Sequence, residues 1–220
     1  MPTALEPSLA IAWNTDDPAD AAILSQNLRQ ILRQITKQAN LRQARSVAMA
    51  QDWHRRAFAG ARLPIPYFAG EIRDSDPRFP ELYGYEVSVG DRTAVASSLV
   101  PDEIRRFEHA MRQAVAVLDT AMPVGAPPGD AAQLSSTLTL CAHSHGEWVR
   151  IHPFANGNGR TARLWANWCA LRYGLPPFVK LRPRPAGSAY ATASALSMRG
   201  DHRLTVGVFV ALLDEHLAIY

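Results

Sequence analysis

Apolar residues recur at steps of three and four along most of the chain, which predicts a protein built from helices. Between residues 18 and 37, Ile23, Leu24, Leu28, Ile31, Leu32 and Ile35 form the stripe of an amphipathic helix that starts just after Asp17. A second helical stretch over residues 41–58 carries Val47 and Trp53, ends at Gly60 and leads into a proline-punctuated segment at residues 63–67. The period then changes to two. Tyr85, Val87 and Val89 alternate with Glu86 and Ser88, Gly90-Asp91 interrupts, and Thr93 and Val95 follow, the pattern of one short β-hairpin. Pro101 opens the next helix with Asp102 and Glu103 in its first turn, where negative charge suits the dipole, and Ile104, Phe107, Met111, Val115 and Leu118 form its stripe. A helix over residues 130–149 places Leu134, Leu138, Cys141, His145 and Trp148 toward the core. Another runs from Asn158 or Gly159 to Tyr173 and stops at Gly174, with Pro176 and Pro177 beyond. Two last helices, residues 188–199 and 202–217, complete an all-α chain, the second packing Leu204, Val208, Leu212 and Leu213.

Composition narrows the class. With 220 residues, 47% hydrophobic and 20% charged, the chain has the make-up of an ordinary globule, which excludes disorder and collagen-like structure. The organisation expected is an N-terminal helical extension, residues 1–39, before one globular unit over residues 40–220. The longest apolar run, residues 206–213, contains Gly207 and falls far short of the roughly 18 residues of a membrane span. The start of the chain lacks the basic and apolar regions of a secretory signal, so a cytoplasmic protein is expected. Cys141 and Cys169 lie within helical patterns as free buried thiols. The net charge is +3. Only Lys37 and Lys180 are lysines, no five-residue basic run occurs and acidic residues are interleaved throughout, so neither nucleic acid nor membrane is an expected partner.

One segment carries chemistry: Arg150-Ile151-His152-Pro153-Phe154-Ala155-Asn156-Gly157-Asn158-Gly159-Arg160-Thr161-Ala162-Arg163. It reads as a helix end, a tight loop and a new helix start. Two glycines beside an asparagine let consecutive backbone N–H groups converge, and the helix N-terminus adds partial positive charge, which makes an anion cradle. Arg160 and Arg163, three apart, present both guanidinium groups on one helix face behind it and suit a polyphosphate. His152, held by Pro153 and the core anchor Phe154, stands where a general base for an attacking hydroxyl is needed. A helix cap at His152 followed by a plain glycine turn is the bland alternative. The combination of histidine, phased arginines and helix start favours phosphoryl or nucleotidyl transfer. Trp148, Trp165 and Trp168, at helical spacing, are read as core, as is His145.

The segment resembles the signature of the Fic (filamentation induced by cyclic AMP) family: His, any residue, Phe, any residue, an acidic residue, Gly-Asn-Gly-Arg, two of any kind, then Arg. His152, Phe154, Gly157, Asn158, Gly159, Arg160 and Arg163 match position by position. Residues 69–73, Ala-Gly-Glu-Ile-Arg, resemble the family's entry segment, and the hairpin near residues 85–95 resembles the flap that clamps the target. The resemblance implies a Fic-type helical bundle with a short β-hairpin flap. It implies that His152 deprotonates a target hydroxyl, that Gly157, Asn158 and Gly159 hold the α- and β-phosphates, and that Arg160 and Arg163 orient the outer ones. The expected reaction is AMP transfer from ATP to a Ser, Thr or Tyr of a target protein. The alternatives are a related transferase of phosphoryl, UMP or phosphocholine groups, and a nucleotide- or partner-binding relative.

Two departures bear on this reading. Asn156 stands where the family carries the carboxylate that holds Mg²⁺, so Mg²⁺ or Mn²⁺ is expected to be held more weakly, through an amide oxygen. Many relatives are blocked by a helix carrying Ser or Thr, three residues, Glu, then Gly or Asn. None of the eight glutamates here is followed by Gly or Asn. Either the chain is not inhibited in cis, or a partner protein supplies the glutamate to Arg163, or an atypical element of the chain itself does so.

Overall fold

A computed structural model describes residues 11–42 and 46–219. The first ten residues, on which the expected absence of a secretory signal rests, lie outside the described part. The Asp17 side chain accepts the Ala19 N–H at 2.9 Å and opens a 3-10 turn, Pro18–Asp20, that feeds α1 (Ala21–Gln38). Leu24, Leu28, Ile31 and Ile35 are buried, the face its spacing requires. The second helix, α2 (Val47–Ala57), is shorter than the expected residues 41–58. Arg42, at φ 43°, ends a 3-10 turn before it, and residues 43–45 are not described.

The hairpin is also shorter than its alternation suggests. β1 (Ser88–Val89) and β2 (Arg92–Thr93) pair antiparallel around Gly90, whose φ of 62° suits the first position of a tight turn. Neither face packs on a core, so Val89 is exposed and regular pairing stops after two residues on each side. Its base is anchored: Ala94 N–H donates to Val87 O at 2.9 Å and Val95 N–H to Arg150 O at 3.3 Å.

α3 (Val100–Ala121), α4 (Ala131–Ile151), α5 (Asn158–Arg172), α6 (Ser188–Ser197) and α7 (Arg203–Leu217) complete the bundle. α5 is its axis: every residue from Thr161 to Arg172 is buried, and α4, α1 and α2 all pack on it. An aromatic cluster fills the centre, with Trp165 5.3 Å from both Trp53 and Phe107, and Trp148 5.7 Å from Phe154, ring centre to ring centre. Trp148, Trp165 and Trp168 are core residues, as their spacing predicts. The stripe of α1 joins this same hydrophobic core, so residues 21–38 pack as part of the bundle.

α7 corrects the sequence reading. Thr205, Phe209 and Leu213 face inward, whereas Leu204 is 41% exposed and Val208 and Leu212 are only partly covered. The helix is apolar on several sides, so its spacing left the face open. Phe209 decides it by packing on His145 and Phe178, and Thr205 follows by reaching the Ser197 hydroxyl at 3.0 Å.

Candidate active site

The site lies where α4 ends and α5 begins. His152 closes α4 in the left-handed region, at φ 49° and ψ 60°, a conformation usually taken by glycine and costing about 1–2 kcal/mol in another residue. Its surroundings hold it there: the backbone N–H donates to Trp148 O at 3.0 Å and its carbonyl accepts from Arg73 Nε at 2.9 Å. The ring Nδ1 meets the Val149 carbonyl, which can only accept, so Nδ1 carries the proton and Nε2 keeps its lone pair. Burial lowers the His152 pKa to about 4, so the ring is neutral at physiological pH.

The loop that follows is fixed from inside. Asn158 Oδ1 accepts the Phe154 N–H at 2.9 Å and its Nδ2 donates to Phe154 O at 2.8 Å. The Asn158 side chain therefore closes the loop, and what it can offer a ligand is its backbone N–H. Together with Gly159 N–H it lies in the first turn of α5, where no intrahelical acceptor exists. Gly157 sits at φ 76°, and a Cβ there would come within 2.7 Å of both His54 and Phe58, so only glycine fits. His54 supports the loop from behind, stacked on Phe154 with ring centres 3.9 Å apart. It accepts Gly70 N–H at Nδ1, 2.9 Å, and therefore donates from Nε2 to Asn156 O, also at 2.9 Å. Burial lowers its pKa to about 3.

A cavity of about 780 Å³ opens over this loop, lined by His152, Asn156, Gly157, Asn158, Gly159, Arg160 and Arg163. The predicted residues are thus brought together at one site, with Phe154 buried beneath as anchor. Arg163 donates from Nε and Nη2 to Leu181 O at 3.2 and 2.9 Å. His145 is buried, as its place in the helical stripe predicts, with its Nε2 2.8 Å from the hydroxyl of Tyr190, which lines the cavity.

The spacing gave no hint of a strap formed by residues 13–16. Trp13 packs between Phe58, Phe68 and His54, and the chain then crosses the loop. Arg160 Nη2 donates to Thr15 O at 2.7 Å and to the Asp16 carboxylate, and Arg182 approaches that carboxylate at 3.6 Å. Asn156, expected as a ligand of Mg²⁺ or Mn²⁺, fastens the strap. Its Nδ2 donates to Trp13 O at 2.7 Å, while its Oδ1 accepts Gly157 N–H at 2.7 Å and the Thr15 hydroxyl at 3.2 Å. This donor set does not fit a divalent cation: the amide oxygen has two donors on it, and Asp16, the one carboxylate that the described residues bring to the cavity, lies between two guanidinium groups. Among the described residues no group of three or more His, Cys, Asp or Glu is placed to hold a metal ion.

Arg73, wholly buried, is the other residue whose part the motif did not disclose. Besides His152 O it donates to Tyr85 O at 2.7 Å and to Val95 O and Ile151 O at 3.1 Å, tying both hairpin arms to the end of α4.

A helix end carrying a neutral histidine, a glycine loop with unpaired N–H groups and a helix start with two arginines thus face one cavity. The model of the Fic/DOC family matches residues 45–170, and the chain belongs to that family. The "Protein adenylyltransferase Fic" of Drosophila melanogaster is 37% identical over 89 residues, 39% of this chain and 18% of the relative, and that of Drosophila persimilis is 37% identical over 83 residues, 38% and 16%. The chain thus spans less than a fifth of the length of these curated relatives. Among solved structures, Fic-1 (aa134–508) from C. elegans superposes with a TM-score of 0.62 at 21% identity, covering 98% of this chain and 54% of that one. The BepC protein of Bartonella tribocorum gives 0.58 at 13% identity, covering 94% of each. These two show a shared helical fold. Among the described residues no helix is long and apolar enough to cross a membrane.

Proposed function

We propose that the protein transfers AMP from ATP to a Ser, Thr or Tyr hydroxyl of a target protein. The observation that carries this is His152, neutral, with Nδ1–H committed to Val149 O and a free Nε2 in the cavity beside unpaired helix N–H groups. In this reaction the target hydroxyl oxygen attacks the α-phosphorus as its proton passes to Nε2. The bond from that phosphorus to the bridging oxygen breaks, and pyrophosphate leaves. The N–H groups of Asn158 and Gly159 and the guanidinium groups of Arg160 and Arg163 meet the charge that shifts to the phosphate oxygens. Supporting the reading are the family membership, the adenylyltransferase names of relatives over this segment and the AMPPNP bound to BepC. Two buried unpaired thiols, Cys141 and Cys169, fit a reducing cytoplasm.

Control of the site belongs to the same proposal. An inhibitory partner offering a glutamate would address Arg163, while Asp16 of the strap addresses Arg160 from within the chain.

The test is intact-mass spectrometry after incubation with ATP, alone and with cell extract, beside His152→Ala. An adenylyl mass gain on the protein or on an extract protein, lost in the variant, is the expected result. A phosphoryl, uridylyl or phosphocholine adduct formed with ATP, UTP or CDP-choline moves the assignment to another donor. Nucleotide binding without any adduct makes the protein a binding relative, the alternative that the neutral Asn156 raises.

A further inference from the structure

The cavity over the cradle is unusually cationic. Beyond Arg160 and Arg163 it is lined by Arg92 from β2 and by Arg182 and Arg184 from the loop after α5, against, among the described residues, the single carboxylate of Asp16. These added guanidinium groups are only partly compensated within the fold: Arg92 Nη1 pairs with Asp91 at 3.2 Å and Arg182 with Asp16 at 3.6 Å. Arg182 Nη1 and Arg92 Nε are buried without a hydrogen-bond acceptor, and Arg184 makes no ion pair among the described residues. Gathering like charges around one space costs free energy that a polyanion recovers on binding. At the same place Asn156 supplies no charge, and its amide is engaged by Gly157, Thr15 and Trp13.

We propose that this pocket takes a nucleotide polyphosphate without a divalent cation, Arg182, Arg184 and Arg92 supplying the positive charge that a metal ion would otherwise bring. The inference rests on the nucleotide-transferase reading for the identity of the ligand, yet it concerns binding alone. The Asp16 carboxylate, which bridges Arg160 and Arg182, is the anion that the polyphosphate replaces. Asparagine at 156 belongs to this arrangement: it holds the strap through an N–H donor and leaves the arginines to the phosphates.

Isothermal titration calorimetry of the full chain with ATP and with inorganic tripolyphosphate, each in EDTA and in excess Mg²⁺, tests this. In EDTA both ligands bind at least as tightly as with Mg²⁺. Arg184→Ala, a largely exposed side chain whose loss leaves the fold intact, weakens EDTA binding about tenfold, the loss expected for one charge-assisted phosphate contact. Asn156→Asp reverses the preference, so that Mg²⁺ then strengthens ATP binding. ATP affinity in the unaltered protein more than tenfold lower in EDTA than in Mg²⁺, or an Arg184→Ala variant that binds as the wild type does, overturns the inference while leaving the transferase reading in place. Tripolyphosphate binding in EDTA without ATP binding sustains the arginine assignment and removes the nucleotide. Binding of neither ligand under either condition overturns both.

Discussion

Replacing Arg73 by methionine tests how the site is held. The side chain is wholly buried and donates four hydrogen bonds to backbone carbonyls, those of His152, Tyr85, Val95 and Ile151. A charge-assisted bond contributes about 1.5–2 kcal/mol, so the four together contribute roughly 6–8 kcal/mol. Against this stands the cost of keeping a guanidinium out of water. Burial draws its pKa down to about 10 from 12.5, and the distant Glu86 carboxylate, 3.9 Å away, returns only part of that. A shift of that size corresponds to about 3 kcal/mol. The difference, about 3–5 kcal/mol, is the expected destabilisation of Arg73→Met, which fills the space but takes the donor from four backbone carbonyls, that of Ile151 buried and the others partly so. For a chain of this size about 2–4 °C of melting temperature accompanies each kcal/mol, so Tm falls by about 6–20 °C. Arg73→Lys, able to reach one or two of the carbonyls, falls between. Circular dichroism melts of the three proteins provide the comparison, and a methionine variant melting within about 2 °C of wild type would falsify the assignment of Arg73 as the tie between hairpin and α4.

Other expectations follow from single contacts. Gly157→Ala places a Cβ within 2.7 Å of His54 and Phe58 at a positive φ and destabilises the fold by about 2–4 kcal/mol; a loss under about 1 kcal/mol in urea unfolding refutes the close approach. Asp16→Asn removes the carboxylate from Arg160 and Arg182 and raises tripolyphosphate affinity about three- to tenfold in calorimetry; unchanged affinity means the strap does not compete for the phosphate site. His54 and His145, with pKa values lowered to about 3 by burial, refuse protons that the unfolded chain takes up below about 6.5. Their contribution is complete above that pH and is lost as pH falls toward 3, giving a slope of up to about 2.7 kcal/mol per pH unit between pH 6 and 5, above the carboxylate range. Unfolding free energies equal at pH 6.5 and 5 contradict this. The transfer rate stays level in its His152 dependence from pH 8 to 5 and drops as His152 is protonated near pH 4; a midpoint near 6.5 in single-turnover labelling excludes this buried imidazole as the base.

Helix order and the loop with its phased arginines were legible because each has a local signature: a stripe, a cap, a glycine that must turn. α1 shows this well, since its buried residues all belong to the stripe its spacing draws. The face of α7 was not legible, because Leu204 and Thr205 are both compatible with a helix apolar on several sides, and only Phe209 packing on α4 and Phe178 selects between them. The supports of the site were hidden for a different reason. His54 reaches Asn156 across 102 residues, Arg73 reaches Ile151 across 78, and Trp13 and Thr15 reach Asn156 across more than 140. No local pattern records such distances. The substitution at 156 was visible as a lost charge. Its positive content, an N–H donor that a carboxylate lacks, depends on the Trp13 carbonyl lying opposite.

That donor separates two parts of the site that differ in kind. The loop over residues 152–158 is fixed by groups that no ligand replaces: Arg73 on His152, His54 on Asn156 O, and the Asn158 amide on both backbone groups of Phe154. Catalysis by position needs this rigidity, because a base misplaced by an ångström loses much of its effect. Residues 13–16 are held otherwise, by one aromatic side chain and by polar contacts to Arg160, Arg182 and Asn156, the groups a polyphosphate would approach. A ligand that displaces the Asp16 carboxylate offers the arginines a partner of the same kind, phosphate for carboxylate, so the exchange costs little beyond freeing the strap. A preformed cradle with an exchangeable anion across it therefore ties occupancy of the site to the position of the strap. The Trp13 indole, 4.7 Å from Phe58, marks that position: the fluorescence change on tripolyphosphate binding that is lost in Trp13→Phe is present if the strap leaves and absent if the two share the cavity.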